Sequence, residues 1–179
     1  YQTGRDFFLE HEEYTHLVIC PDDLVIHYDA FMMLKRAVEE YELSNLSGVA
    51  YIDENGSGVY CCKPKGVDIT QQSQGTFYED KFNKNVKHIL PSEIFEVGFT
   101  GFCCQFLDRD LVKKMTFKGG CQGGAGCMDL EMAYNCKEHN VPMLVEPNAY
   151  FTHLRNKCKL EVQAWKNRGT EAHIGYTVY

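Results

Sequence analysis

The stretch Thr15-His16-Leu17-Val18-Ile19-Cys20-Pro21-Asp22-Asp23 decides the fold class of this chain. Residues 16–20 form a short apolar run that Pro21 ends, a pattern typical of a parallel strand buried on both faces of a sheet. Asp22 and Asp23 follow at its carboxyl end, where open α/β sheets bind their ligands. Because consecutive side chains diverge in direction, one carboxylate could hold a divalent cation while the other accepts a hydroxyl. A turn that contains a helix cap is the simpler alternative.

Helix and strand patterns alternate along the rest of the chain. We expect strands at residues 47–52, 102–107, 141–145 and 149–152, and helices at residues 4–13, 30–43, 109–115, 128–139 and 160–167. Asp29 and Asp108 are the expected N-caps of the second and third helices. Between them, the polar residues 63–93 form a long connection. The alternation predicts an α/β fold in which helices flank a mostly parallel sheet, in a single domain of residues 1–179.

Composition and charge narrow the function classes. Of the 179 residues, 44% are hydrophobic and 24% are charged, as in an ordinary globular domain. The formal net charge of -7 argues against a broad basic surface for nucleic acid. No apolar run approaches the ~20 residues of a transmembrane segment. We therefore expect a soluble acidic domain that binds no nucleic acid and has no transmembrane segment.

Nine cysteines raise the question of disulfides or zinc. Their number is odd, and no CxxC spacing occurs, so the strong zinc signature is missing. The neighbours in each of the two Cys-Cys pairs point to opposite faces of a strand and are poorly placed to share one metal. We expect small buried hydrophobic residues in a reducing, cytoplasmic compartment, with disulfides or a zinc module as the alternatives.

Two further segments contain candidate functional residues, one at the start of a predicted helix and one just before a predicted strand. Asp129 and Glu131 open a helix behind the glycine-rich residues 119–126, although the helix dipole favours carboxylates there with or without a function. Gly98 and Gly101 precede an apolar strand, where glycines let a ligand or another backbone approach closely, or mark a bend.

A histidine at the end of the last predicted strand completes the candidates. His153 is followed by Arg155 in one of the few basic clusters of the chain. A histidine beside cations suits a diphosphate and its metal, although a strand-end histidine is more often a surface or core residue.

Each of these signals is weak alone, but the order of four segments along the chain is informative. An Asp-Asp pair after a strand, a glycine-containing loop into a strand, an acid at a helix start and a strand that ends in His follow one another along nearly the whole chain. This order resembles the GT-A fold glycosyltransferases, in their inverting, family 2-like form. The matching segments are residues 15–25, Val97-Gly98-Phe99-Thr100-Gly101-Phe102-Cys103-Cys104, Cys127-Met128-Asp129-Leu130-Glu131-Met132-Ala133 and Pro147-Asn148-Ala149-Tyr150-Phe151-Thr152-His153.

The resemblance implies a metal-dependent transfer of a sugar from a nucleotide-sugar donor, expected to be a UDP-sugar. Asp23, with Asp22 and His153, would hold Mn²⁺ or Mg²⁺ against the diphosphate of the donor. The donor would also contact Asp22, Arg155, Gly98 and Gly101.

The resemblance also implies the acceptor chemistry. Asp129, with Glu131 in reserve, would be the base that takes the proton from a hydroxyl of a glycan or another acceptor. Displacement would invert the anomeric centre. Aromatic residues of the 63–93 connection, such as Phe77, could stack on an acceptor sugar or pack beneath the loop.

Three departures from the family pattern stand in the sequence. Pro21 occupies the place of the first Asp of a DxD motif, which removes the ribose contact made from there. Cys127 and Met128 stand where the family often has further acids. Family members also carry additional strand–helix units before the DxD strand, which here begins near His16. The resemblance therefore implies a fragment or a compact variant with an N-terminally short nucleotide-binding half.

Two rival functions belong to other classes. A GT-A-like binding module would recognise a sugar or a partner without transferring anything, since a fold does not fix a function. A cysteine protease is suggested superficially by residues 120–124. That family needs a Trp beside its nucleophile, and the single Trp165 lies far from any cysteine of that segment.

Overall fold

A computed structural model describes residues 2–52, 60–68, 76–77, 88–117 and 128–154 of the chain. The helices in these ranges are α1 (Gln2–Glu10), α2 (Tyr28–Glu40), α3 (Arg109–Lys114) and α4 (Met128–Glu138). The strands are β1 (His16–Ile19), β2 (Leu24–Val25), β3 (Asn45–Val49), β4 (Cys62–Pro64), β5 (Phe95–Thr100), β6 (Gln105–Asp108), β7 (Met143–Tyr150) and β8 (Thr152–His153). Within these same ranges, no helix combines the length and apolar character needed to cross a bilayer.

The α/β class is confirmed, but the expected mostly parallel sheet is wrong. Six strands form one sheet in the order β1-β6-β3-β7-β5-β4, and β2 pairs with β8 separately. The β3–β7 pair is parallel, whereas β1–β6, β3–β6, β5–β7 and β4–β5 are antiparallel. The apolar character of residues 16–20 has another cause, because β1 is an edge strand with helices packed on both of its faces.

Two apolar clusters cover the two faces of the sheet. One contains residues of α1, α3 and α4 together with Ile19 of β1 and Leu107 of β6. The other contains four buried residues of α2 together with Phe106 of β6, and Val18 of β1 packs against it. Successive residues of β1 and β6 therefore face opposite clusters, as strand geometry requires.

The helix predictions are largely confirmed. The carboxylate of Asp108 caps α3 by accepting a hydrogen bond from the Leu111 amide at 2.6 Å. The α4 helix lies where the pattern placed it. The expected cap of α2 is wrong, because this helix begins one residue before Asp29 and its N-cap is His27, which makes no side-chain cap bond. Asp29 lies instead in the first turn, where the helix dipole still favours a carboxylate. The predicted terminal helix of residues 160–167 lies outside the described residues.

The end of the sheet that carries His153 differs from its prediction. Residues 143–150 form one strand rather than two, although its pairing with β3 is irregular between Ser47 and Val49. Pro147 falls within this irregular part, which is where a proline is tolerated in a sheet. The buried Glu146 carboxylate accepts hydrogen bonds from the Asn148 amide at 2.9 Å and from its side chain at 2.8 Å. These bonds hold the irregular segment without ladder pairing.

A glycine makes the close approach of β3 and β7 possible. A Cβ atom at Gly48 would lie 2.4 Å from the Ala149 carbonyl oxygen and 2.4 Å from the ring of Phe151. The Gly48 amide donates to the Cys103 carbonyl at 2.9 Å, and the Phe151 amide donates to the Val49 carbonyl at 2.8 Å. Gly48 thus fixes the path of the chain into β8 and His153.

The described cysteines have the expected character. All six are free thiols, and Cys62, Cys103, Cys104 and Cys136 are buried. Burial raises the pKa of Cys136 to about 12, although a hydrogen bond from Asn45 opposes the shift. The remaining three, Cys121, Cys127 and Cys158, lie outside the described residues.

Candidate functional site

Asp23 and His153 come together across a short antiparallel ladder. Leu24 of β2 lies opposite His153 of β8, and the Leu154 amide donates to the Asp23 carbonyl at 2.7 Å. The His153 Nε2 atom lies 3.0 Å from Oδ2 of Asp23. Main-chain hydrogen bonds therefore place a carboxylate and an imidazole from distant parts of the sequence in direct contact.

The second ring nitrogen of His153 also has an acceptor. Nδ1 lies 3.3 Å from the carbonyl oxygen of Ile52, which can only accept. A neutral ring can donate a hydrogen bond either through Nδ1 to this carbonyl or through Nε2 to the Asp23 carboxylate. With a cation bound at Nε2, the hydrogen would be on Nδ1. A second contact of this kind, which orients the ring, is typical of metal-binding histidines.

A divalent cation fits this donor pair. Carboxylate and imidazole are both ligands of Mn²⁺, and neighbouring ligands of an octahedral ion about 2.1 Å from it lie about 3.0 Å apart. The side chain of Asp23 is 35% exposed and that of His153 is 19% exposed, so the pair is partly open to solvent. Asp22 is exposed beside it.

The described part of the chain contains no group of three or more His, Cys, Asp or Glu side chains that could hold a metal ion. The Asp23–His153 pair therefore offers two ligands and does not match the closed four-ligand set of a structural zinc site. Mg²⁺ is commonly held by one or two carboxylates, with substrate phosphates and water completing its coordination.

Gly101 lies beside Asp129 at the start of α4, an arrangement that we call the Gly101–Asp129 contact. Oδ1 of Asp129 accepts from the Leu130 amide at 2.9 Å. A Cβ atom at Gly101 would lie 3.7 Å from Oδ2 of Asp129 and 3.4 Å from the Cβ of Cys61. The Gly101 amide donates to the Cys61 carbonyl at 2.7 Å, which fixes the glycine against this carboxylate. Glu131 follows in the same first turn of the helix.

The other glycine of the predicted loop has a different environment. Gly98 lies within β5, a strand that the sequence patterns did not indicate. A Cβ atom there would lie 2.8 Å from the carbonyl oxygen of Pro64 in β4. The neighbouring strand, rather than a ligand, occupies this space. Arg155, the predicted diphosphate contact, lies outside the described residues.

Sequence reasoning missed several residues around the Asp23–His153 pair. The carbonyl of Ile52 gave no signal, because a main-chain atom can come from any residue. His27, whose Nε2 lies 3.0 Å from Oγ1 of Thr152, also contacts β8. Tyr51 directly precedes Ile52, and Tyr150 lies three residues before His153.

Comparison with known proteins assigns no family. No protein-family model matches the chain, and no curated protein sequence matches it. Among solved structures, the chain is similar to the crystal structure of A197 from STIV, with a TM-score of 0.47 and 18% sequence identity. The match covers 84% of this chain and 60% of that chain, so this chain spans about 60% of the length of that protein.

Proposed function

We propose that the protein is a metal-dependent glycosyltransferase of the GT-A type, which moves a sugar from a nucleotide diphosphate donor, expected to be a UDP-sugar, to an acceptor hydroxyl. The observation that carries the proposal is the 3.0 Å contact between Asp23 and His153. The order of the motifs along the sequence led us to expect that these two residues, which are far apart in the chain, bind the same metal ion. Their contact brings together a carboxylate and an imidazole, two groups that can bind a divalent cation.

On the donor side, Asp23 and His153 would hold Mn²⁺ or Mg²⁺, and exposed Asp22 is available to the donor beside them. The cation, when bound, would stabilise negative charge on the departing diphosphate. The Ile52 carbonyl keeps the imidazole of His153 oriented toward Asp23. Arg155, two residues after His153, would supply a further positive charge to the diphosphate.

On the acceptor side, Asp129 would act as the general base. Its carboxylate takes the proton of the acceptor hydroxyl while the hydroxyl oxygen forms a bond to the anomeric carbon. The bond from that carbon to the diphosphate oxygen breaks, and the diphosphate leaves with the electron pair. Attack from the opposite side inverts the anomeric centre. Gly101 lies next to this carboxylate, since a Cβ atom there would be 3.7 Å from Oδ2 of Asp129.

The test is calorimetric titration of UDP into the protein with and without Mn²⁺. The proposal expects Mn²⁺-dependent binding that is lost in Asp23→Ala. Asp110→Ala is the matched control, because Asp110 is an exposed aspartate of α3 paired with Lys113. Equal binding by the Asp23→Ala variant would contradict the assigned ligand. No binding by the wild-type protein under either condition would reject the transferase and leave a binding module as the alternative.

A further inference from the structure

Two pairs of thiols meet on the α2 side of the sheet. The thiols of Cys20 and Cys104 hydrogen-bond to each other, and so do those of Cys61 and Cys103. All four residues belong to the apolar cluster that contains α2 or pack against it. Because every one of these cysteines is free, each pair is a dithiol.

The backbone brings Cys20 and Cys104 to facing positions. β1 and β6 pair in antiparallel register, and their last paired residues at this end are Ile19 and Gln105. Cys20 follows Ile19 and Cys104 precedes Gln105, so the two cysteines occupy the next facing positions. Directly opposite residues of antiparallel strands have Cα atoms about 4.5–5.5 Å apart, within the range of about 4.4–6.8 Å that disulfides span. A disulfide therefore fits this position without a change of register.

The conformation of Cys104 explains how its thiol reaches this position. Consecutive residues of a regular strand face opposite sides of the sheet, but Cys103 and Cys104 both lie in the cluster that contains α2. The φ angle of Cys104 is 60°, in the left-handed region that residues other than glycine and asparagine rarely adopt. A residue in such a conformation persists only where its surroundings hold it, and such residues are concentrated at functional sites.

The two facing thiols differ in their access to solvent. Cys104 is fully buried, whereas Cys20 is partly exposed. We propose that Cys20 and Cys104 form a reversible disulfide when a peroxide oxidises Cys20. Hydrogen peroxide transfers one oxygen atom to the Cys20 sulfur, which gives a sulfenic acid and one molecule of water.

The buried thiol then completes the reaction. The Cys104 sulfur attacks the Cys20 sulfur, the S–S bond forms, and the S–O bond breaks. The hydroxyl leaves with the Cys104 proton as a second molecule of water. The two sulfur atoms together lose two electrons, and these reduce the peroxide.

The disulfide acts on the segment that carries the Asp-Asp pair. Pro21 joins Cys20 to Asp22 and Asp23, so the bond ties the start of this segment to the start of β6. A cross-link between positions this far apart in the chain stabilises the fold chiefly by restricting the unfolded chain. This modification site does not depend on the proposed function.

The experiment treats the folded protein with hydrogen peroxide and then blocks the remaining thiols with N-ethylmaleimide. Fragmentation mass spectrometry of the non-reduced peptides should find Cys20 joined to Cys104, and dithiothreitol should reverse the bond. Oxidation should raise the Tm by about 5 °C or more. The cross-link and the rise in Tm should be absent from Cys20→Ser and from Cys104→Ala. Both should remain in Cys61→Ser, the matched control from the other thiol pair.

The other outcomes contradict the inference. A Cys20 thiol that stays unlinked, or that joins a cysteine other than Cys104, would overturn it. A Cys20–Cys104 bond that leaves the Tm unchanged or lowers it would also overturn it, because such a bond would not fit the folded chain. Far-UV circular dichroism before oxidation shows whether each variant is folded. Titration of UDP into the reduced protein tests the proposed function separately, and its result does not affect these outcomes.

Discussion

The Asp23–His153 pair and the Gly101–Asp129 contact are built in different ways. The Asp23–His153 pair is held by a strand ladder, with the Leu154 amide bonded to the Asp23 carbonyl and Leu24 opposite His153. The Gly101–Asp129 contact exists because a residue without a side chain faces a carboxylate at a helix start. The first depends on backbone register, and the second depends on the absence of a side chain at Gly101. A change in the path of the sheet should therefore damage the first, whereas a single added methyl group should damage the second.

The largest expected effect is that of Asp129→Asn on transfer. The amide keeps the size of the side chain but cannot take a proton, so transfer to an acceptor should fall about 10²–10⁴-fold. Mn²⁺-dependent UDP binding at the Asp23–His153 pair should remain nearly intact, as calorimetry would measure. Glu131→Gln is the matched control in the same helical turn and should retain transfer. Loss of UDP binding in Asp129→Asn would instead make Asp129 a structural residue or a metal contact.

The next effect comes from breaking the path of the sheet at Gly48. The added methyl group of Gly48→Ala would lie 2.4 Å from the Ala149 carbonyl oxygen, so β3 and β7 must separate. Such overpacking lowers the free energy of unfolding by about 1–3 kcal/mol. Urea denaturation measures this loss, and UDP affinity should fall with it, because the displaced chain leads to His153.

A second glycine supplies the control for that experiment. Gly4 lies within α1, and a Cβ atom there would meet nothing within 4 Å. Gly4→Ala should therefore raise the free energy of unfolding by about 0.5–1 kcal/mol through helix propensity. If Gly48→Ala were equally harmless, the close approach of β3 and β7 would not position the Asp23–His153 pair.

A smaller and more local effect is expected for Gly101→Ala. The added methyl group would make ordinary contacts, 3.4 Å from the Cβ of Cys61 and 3.7 Å from Oδ2 of Asp129. We expect the free energy of unfolding to change by less than about 0.5 kcal/mol. If Asp129 is the base that we propose, transfer should nevertheless fall about tenfold or more, because the methyl group would lie beside its Oδ2 atom and misplace the acceptor hydroxyl.

Steady-state kinetics and urea denaturation of the same preparation test this separation. Gly98→Ala is the contrasting variant, because its methyl group would lie 2.8 Å from the Pro64 carbonyl and should lower stability first. Unchanged transfer by Gly101→Ala would show that the acceptor does not pass beside Asp129.

The helices could be predicted from signals that lie within a few residues of one another. The strands were predicted less well, because their pairing depends on residues far apart in the chain. Asp108 was identified as a cap because the capping bond to Leu111 is formed within one turn. The pairing of β1 was not predictable in the same way. An apolar run indicates that both faces of a strand are buried, but it does not indicate which elements bury them. Ile19 packs in the cluster that contains α3 and Val18 against the cluster that contains α2, so both faces of this edge strand are apolar without a parallel neighbour. β5 was missed because Gly98, whose lack of a side chain admits β4, indicated a loop.

The candidate site shows the same difference between local signals and long-range contacts. Asp23 and His153 were predicted because each ends an apolar strand and their order along the chain matched a known arrangement. The orientation of His153 by Ile52 and the ring contact of Tyr51 with Tyr150 depend on where chain segments cross. Neither residue type nor spacing records such crossings. The register of the β2–β8 ladder and the irregular pairing of β7 decide them.

The smallest expected effect is a pH dependence that originates in β1, the strand that leads to Asp23. Burial lowers the pKa of His16 below its usual 6.5, although Asp108, opposite it in β6, and Glu39 of α2 act to raise it. The unfolded chain therefore binds a proton at His16 more readily than the folded chain does. Stability should then be fully present above pH 6.5 and decline as the pH falls below that value. In His16→Gln this part of the decline should disappear, as urea denaturation between about pH 5 and pH 8 would measure. An identical decline in both proteins would mean that other groups cause it. Because the affected strand leads to Asp23, UDP affinity should weaken with stability in the wild-type protein more than in His16→Gln, whereas the Gly101–Asp129 contact lies away from this strand.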